Sequence, residues 1–275
     1  GQPHLVVPHS NRSRAAAALT SAVALLLDSA PGDSLRSEAV KVLLMAGAAR
    51  QTSNTGPQEL IDAGSEIDIV NYGSNSAGNG LDLTYGAGQL DINASHQLLM
   101  AGNQPSTEDD GTGIGMKGYH YDAGFGGASG TNGMARYPFS TGAAPERLAA
   151  TLAWNVDIED NAGPFDPTRT LHPLDLELVD VTGGGALLVA TSASAIDNTE
   201  TLYVEIDAWR DYELRVVRSG GASFNWDYAL AWNRVELEED ATMVPALPPG
   251  WLPGIAAALW CVARRNLLPG PRLRG

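Results

Sequence analysis

The chain has 275 residues, enough to bury a sizeable core, and 32 acidic against 17 basic residues set its formal charge at −15. That balance excludes recognition of a phosphate backbone, which needs a concentrated basic face, so no nucleic-acid partner is expected. A single cysteine, Cys261, excludes an internal disulfide framework and a thiolate metal site.

The charge is unevenly spread. Gly1 to Gly250 holds 13 basic and 32 acidic residues, whereas Trp251 to Gly275 has four arginines and no acid, which marks the tail as a different kind of segment. No signal peptide opens the chain, and a start at Gly1 points to a processed or cropped product.

In chain order, "SNRSRAAAALTSAVALLLDSA" (10–30) predicts a helix from Arg12 to Ser29, apolar almost all round and therefore expected to be buried, with Ser13 between two arginines at its mouth. "PGDS" (31–34) breaks it, and Asp33 or Ser34 can cap a second helix whose inner stripe is Leu35, Ala39, Val42, Leu43 and Ala46. Residues 51–80, rich in Gly, Ser and Asn, read as a long irregular loop; a glycine turn, a short strand and a third helix follow in 85–102. Residues 106–136 are dominated by glycine and read as a linker. From Arg147 to Val235 six short runs, "RLAATLAW", "LDLELVDV", "ALLVATSA", "TLYVEID", "DYELRVVRSG" and "NWDYALAWNRV", predict an antiparallel sandwich or jelly roll. An acidic spacer then leads to the apolar run Trp251–Ala263, whose 13 residues make about 20 Å of helix, short of the about 30 Å of a bilayer core.

The order of these pieces resembles the C-terminal third of a subtilisin-like serine peptidase. In that family a Gly-Thr-Ser-x-Ala-x-Pro signature opens an alanine-rich helix, which falls here on Leu19 to Leu26 and puts the nucleophile on Ser13. "PHLVVPHS" is similar to the strand before that signature, and "YGAGQLD" (85–91) to the family's closing strand. Secreted bacterial members with a C-terminal jelly roll carry segments like "LDLEL" (174–178), "SASAIDNTE" (192–200) and "YALAW" (228–232). The tail, with its Pro-rich opening, apolar run and Arg264–Arg265 end, resembles the PEP-CTERM-like sorting signals of Gram-negative exported proteins.

The resemblance implies an α+β multidomain chain: residues 1–105 the C-terminal portion of a subtilase-like α/β domain, 106–136 the linker, 137–235 the β-sandwich or jelly roll, and 236–275 the acidic spacer and the sorting or anchor tail. It further implies an exported, extracellular or envelope location, a protein or peptide substrate, an upstream half of the catalytic domain as partner, and a tail that meets the membrane and a sorting protease. Calcium is the one cofactor it implies, with Asp175, Asp197, Asn198 and Glu200 as oxygen donors; the same "IDNTE" residues also make a good turn.

The signature itself is incomplete. Asn11 stands for its glycine, Arg12 for its threonine and Ala17 for its proline. The 12 residues before Ser13 hold His4 and His9 but no aspartate, and the oxyanion asparagine is missing. A serine hydroxyl needs a base, an orienting acid and oxyanion donors to act as a nucleophile. The expectation is therefore a chain that is inactive alone, with Ser13 capping the helix. The competing expectation is a degenerate, non-catalytic remnant that binds or supports at the cell envelope. His96, His120 and His172 lack ligand spacing and read as polar contacts. The sandwich aromatics read as core, with Trp209 the exposed one.

Overall fold

A computed structural model describes residues 3–8, 11–30, 35–51, 53–54, 70–160 and 167–237. These belong to one compact unit spanning Gly1–Leu237. His9, Asp33, Ser34 and the tail from Glu238 onward lie outside the described residues.

Among the described residues three helices come first: α1 (Arg12–Ser29), α2 (Ser37–Ala46) and α3 (Ile92–Ala101). Two residue pairs, β1 (Ser53–Asn54) and β2 (Val70–Asn71), form a minimal antiparallel ladder between α2 and α3. Eight longer strands build the body: β3 (Lys117–Phe125), β4 (Met134–Ser140), β5 (Glu146–Ala153), β8 (Leu174–Asp180), β9 (Leu187–Ser192), β10 (Thr199–Ile206), β11 (Asp211–Arg218) and β12 (Trp226–Glu236). A side hairpin, β6 (Asp157–Asp160) with β7 (Pro167–Thr170), branches from the loop between β5 and β8.

The eight strands form two antiparallel sheets, ordered β10-β5-β12-β3 and β4-β11-β8-β9. Their inner faces meet in one apolar core: Leu148, Ala150, Leu152, Leu202, Leu230 and Trp232 from the first sheet pack on Tyr137, Leu176, Leu178, Leu214 and Val216 from the second. All six predicted runs are strands of this β-sandwich. In β8 and β11 of the second sheet buried residues largely alternate with half-buried ones, one face turned to the core and the other outward.

The first sheet is covered on both faces. On its outer side Ala153, Ala229 and Ala231, all buried, form a flat floor on which α2 and α3 lie through Ala39, Val42, Leu43, Leu98 and Leu99. Small residues there let the helices approach closely, so the architecture is three layers: helices, sheet, sheet. Polar contacts pin α2 to the strand ends. Lys41 Nζ donates to Thr199 Oγ1 at 2.5 Å, and the Asn155 side-chain amide donates to Glu38.

Four expectations are corrected here. The N-terminal region has no subtilase-like α/β layer among the described residues; its helices cover the sandwich, and the parallel pairing there is limited to isolated bridges, Val6 with Gln89 and Asn103 with Tyr119. The stretch read as linker carries β3, which pairs with β12 at the edge of the first sheet. Glycine misled there for a physical reason: a Cβ on Gly118 would lie 2.8 Å from the Trp232 ring, so that position has to be bare for the indole to fit. Helix α1 is not buried all round, because it packs along one line on α3 and buries only Ala22 and Leu26. Finally, α1 is capped by Asn11, whose Oδ1 accepts from Arg14 N at 2.9 Å, and not by Ser13; α2 starts at Arg36 with no side-chain cap.

Candidate functional site

Ser13 is the second residue of α1 and is exposed, as are Arg12 and Arg14 beside it. Among the described residues no imidazole or carboxylate is hydrogen-bonded to its hydroxyl. His4 has Lys41 and Asp197 as its charged neighbours. His96 lies on the exposed side of α3, in a shallow cleft with Leu25, Leu26 and Ser29 of α1. His172 stacks between Phe224 and Trp226, 3.6 Å from the Asp157 carboxylate. None of these can take a proton from Ser13.

The residues implied for calcium fall at one end of the sandwich but are each engaged separately. Asp175 Oδ1 accepts from Ser219 Oγ at 2.9 Å, Asp197 Oδ2 from Ser194 Oγ at 2.8 Å, and the Asn198 amide donates to the Trp154 carbonyl at 2.6 Å. Glu200 is buried and takes Ser192 Oγ on one oxygen at 2.6 Å and Ser194 N on the other at 2.8 Å. Among the described residues no three acidic, histidine or cysteine side chains converge on a common point. Glu200 has a protein donor on each oxygen, while Asp175 and Asp197 each have one oxygen so engaged.

Burial pushes the Glu200 carboxyl up to about 7, against the donors from Ser192 and Ser194, with Asp175 and Asp197 adding to the rise. Folded protein therefore binds that proton more tightly than unfolded chain, and stability falls as pH rises from about 4.5 to about 7. Glu200→Gln removes this dependence. Thermal denaturation at a series of pH values should show the variant's advantage over wild type growing from near zero at pH 4 to on the order of 3 kcal/mol above pH 7. A difference that stays flat with pH would contradict the assignment.

A buried polar chain inside the sandwich was not legible in the sequence. His120 Nδ1 lies 2.8 Å from Tyr137 Oη, which lies 2.5 Å from Tyr228 Oη, and Tyr228 hydrogen-bonds the Asp122 carboxylate. All four side chains are buried. Desolvation lowers His120 to about 4 and raises Asp122 to about 6, so both tend toward neutrality in the core. With Asp122 ionised, one direction of donation satisfies every member: imidazole N–H to Tyr137, Tyr137 to Tyr228, Tyr228 to Asp122. His120 and Asp122 could have been flagged only by recognising β3 as a strand, whose period of two puts Gly118, His120 and Asp122 on one face.

A second polar organiser, Asp82, holds the loop after β2. It accepts from Gly73 N, Thr84 N and Tyr85 N at 2.8 to 2.9 Å. This loop docks on the sheet edge through Gly80, whose φ of +74° and 1.9 Å approach of a notional Cβ to the Thr201 carbonyl admit only glycine. Among the described residues Trp209, as expected, is the exposed tryptophan, at 73%.

No protein-family model matches the chain, and no curated protein matches it. Among solved structures, the mitogen derived from Yersinia pseudotuberculosis is 15% identical over 39% of this chain and 91% of that one, with a TM-score of 0.21, a likeness too slight to carry a structural or functional argument.

Proposed function

We propose that this chain is the C-terminal part of a secreted subtilisin-like serine endopeptidase, contributing the serine-bearing helix and a jelly-roll sandwich, and that it does not hydrolyse peptides by itself. The observation that carries the reading is the state of α1. Eighteen residues rich in alanine and leucine bury only Ala22 and Leu26, while Leu25 and Leu27 stand 60% and 48% exposed. A helix of that composition is built to be surrounded, and an upstream half that supplies the aspartate, the histidine and a covering sheet would surround it.

Two further features support it. The segments similar to the family's strands lie side by side, with Val6 N donating to Gly88 O at 3.0 Å and Leu90 N to Val6 O at 2.8 Å. In addition, the eight strands cross from sheet to sheet at every connection but that between β8 and β9, an order that supports a jelly roll, the accompaniment that the resemblance implies. The alternative, a non-catalytic remnant at the cell envelope, is favoured by Asn11, which holds the helix mouth as an ordinary cap where the signature has glycine.

The gene product extended upstream decides between them. Incubated with a fluorophosphonate, it should be labelled at Ser13, and Ser13→Ala should abolish the label. A folded extended product that is not labelled would sink the peptidase reading and leave the remnant.

A further inference from the structure

One end of the sandwich displays apolar side chains that belong to no core. Trp209 sits in the β10–β11 turn with φ +57°, a left-handed conformation that costs an aromatic residue energy and persists only where its surroundings impose it. They do: Trp209 N donates to the Gly142 carbonyl at 3.0 Å, and Arg210 N to Thr141 Oγ1 at 2.9 Å. A strained backbone is thus maintained for an indole that stands in solvent, which packing does not explain. Beside it lies the tip of the β8–β9 hairpin, where Gly183 to Val189 are all exposed, Leu187 and Leu188 at 67% and 52%. Val181 N donates to the Asp211 carbonyl at 2.8 Å and Asp211 N to Thr182 Oγ1 at 2.9 Å, which fastens this tip to the Trp209 turn. A Cβ added at Gly142, Gly183 or Gly184 would meet no atom within 4 Å, so the three loops project as tips.

The loops read "TGAAP" (141–145), "TGGGALLV" (182–189) and "DAWR" (207–210). In a chain of charge −15 they hold one acid and one base, and the base, Arg210, lies 3.7 Å from the Asp180 carboxylate. An exposed apolar patch with a polar rim marks a surface for a protein or a membrane, and area and shape decide between them. Three projecting side chains offer on the order of a few hundred Å², against the about 800 Å² that each partner buries in a stable protein interface. A bilayer also yields to projecting tips, whereas a folded partner has to be shaped for them. Tryptophan favours the bilayer–water interface, where its ring is apolar and its N–H wet, and leucine the acyl region beneath. The chain leaves the sandwich at this same end: Leu237 N donates to the Pro145 carbonyl at 2.8 Å, and the sequence continues into the acidic spacer and the apolar run that begins at Trp251.

We propose that this end of the sandwich docks on an electrically neutral lipid surface, with Trp209 at the headgroup level and Leu187 and Leu188 entering the acyl boundary. The lipid is neutral because the one cation of the loops is paired with Asp180 and the chain's net charge repels anionic headgroups. Docking is shallow and reversible, since three side chains bury far less apolar surface than a spanning helix. The inference is independent of the peptidase reading, because Ser13 and α1 belong to the helical layer, where α1 packs on α3.

Mixing the full chain with vesicles of phosphatidylcholine tests it, in three forms: plain, with added phosphatidylglycerol, and brominated in the acyl chains, which quenches tryptophan on contact. Wild type should bind plain vesicles saturably, phosphatidylglycerol should weaken binding, and brominated lipid should quench a component of the emission that Trp209→Phe removes. Leu187→Ser combined with Leu188→Ser should weaken binding about tenfold with unchanged circular dichroism. The two variants lie in separate loops, so each tests the surface without the other. Quenching that persists in full in Trp209→Phe would assign the lipid contact to Trp251 and Trp260 of the tail and overturn the proposal. Absence of binding, or tighter binding with phosphatidylglycerol, would overturn it as well. A dimer in sedimentation that the double serine variant dissociates, without lipid binding, would give the patch to a second copy of the chain instead.

Discussion

Glu146→Ala should cost about 3–5 kcal/mol of folding stability, a large share of what a protein of this size has. Glu146 and Arg234 are 2% and 3% exposed at their side chains and meet in a two-pronged ion pair, Nε to Oε2 at 2.8 Å and Nη2 to Oε1 at 3.1 Å. The same Nη2 reaches the Ser140 carbonyl at 2.8 Å, and the guanidinium lies 4.1 Å from the centre of the Phe139 ring. Arg234 and Glu146 belong to one sheet, Ser140 and Phe139 to the other, so the pair fastens the sandwich at one edge. Deleting the acid strands a guanidinium in the dry edge of the core, and the penalty is that of the orphaned charge more than of the lost attraction. The double variant Glu146→Leu with Arg234→Leu should recover most of the loss. Urea denaturation of the single and double variants measures both; a single variant within 1 kcal/mol of wild type would contradict the buried-pair account.

Leu43→Ala is the second large expectation, about 2–5 kcal/mol, because Leu43 is fully buried between α2 and the alanine floor of the first sheet. Its value lies in how the loss is distributed. Helices and sandwich share a core, so helical circular dichroism and the fluorescence of the buried Trp154 and Trp232 should shift together in one transition. Two separated transitions, with only the helical one moved by Leu43→Ala, would show the helices and the sandwich to be independent units.

What was legible in the sequence follows from how each strand meets the core. The six runs from Arg147 to Val235 present leucine, valine and aromatic residues to the interior, so their alternation could be read directly. The strand Lys117–Phe125 presents Gly118, His120 and Asp122 instead, and a pattern of hydrophobicity cannot register a strand whose inward face is polar or empty. In Met134–Ser140 the apolar alternation of Ala135, Tyr137 and Phe139 is present, but Pro138 speaks against a strand until β4 is seen to lie at a sheet edge. The inner stripe of α2 was read correctly from its spacing. Helix α1 was read as buried from composition alone, which states what a helix needs and not what this chain provides.

The site divides in the same way. The run around Ser13 reads in the sequence as an incomplete version of the signature it resembles; among the described residues no imidazole or carboxylate is hydrogen-bonded to that hydroxyl. The buried chain of His120, Tyr137, Tyr228 and Asp122 was illegible, since two of its members lie on a strand that hydrophobic alternation does not register.

Among the described residues the hydroxyl of Ser13 has no imidazole or carboxylate as proton acceptor. Treating the 275-residue chain alone with a fluorophosphonate and mapping the modified peptides tests it most directly, with the exposed Ser21 and Ser29 of the same helix as internal references. Modification of Ser13 no faster than of those two serines is the predicted result; rapid, selective and stoichiometric modification of Ser13 would contradict it.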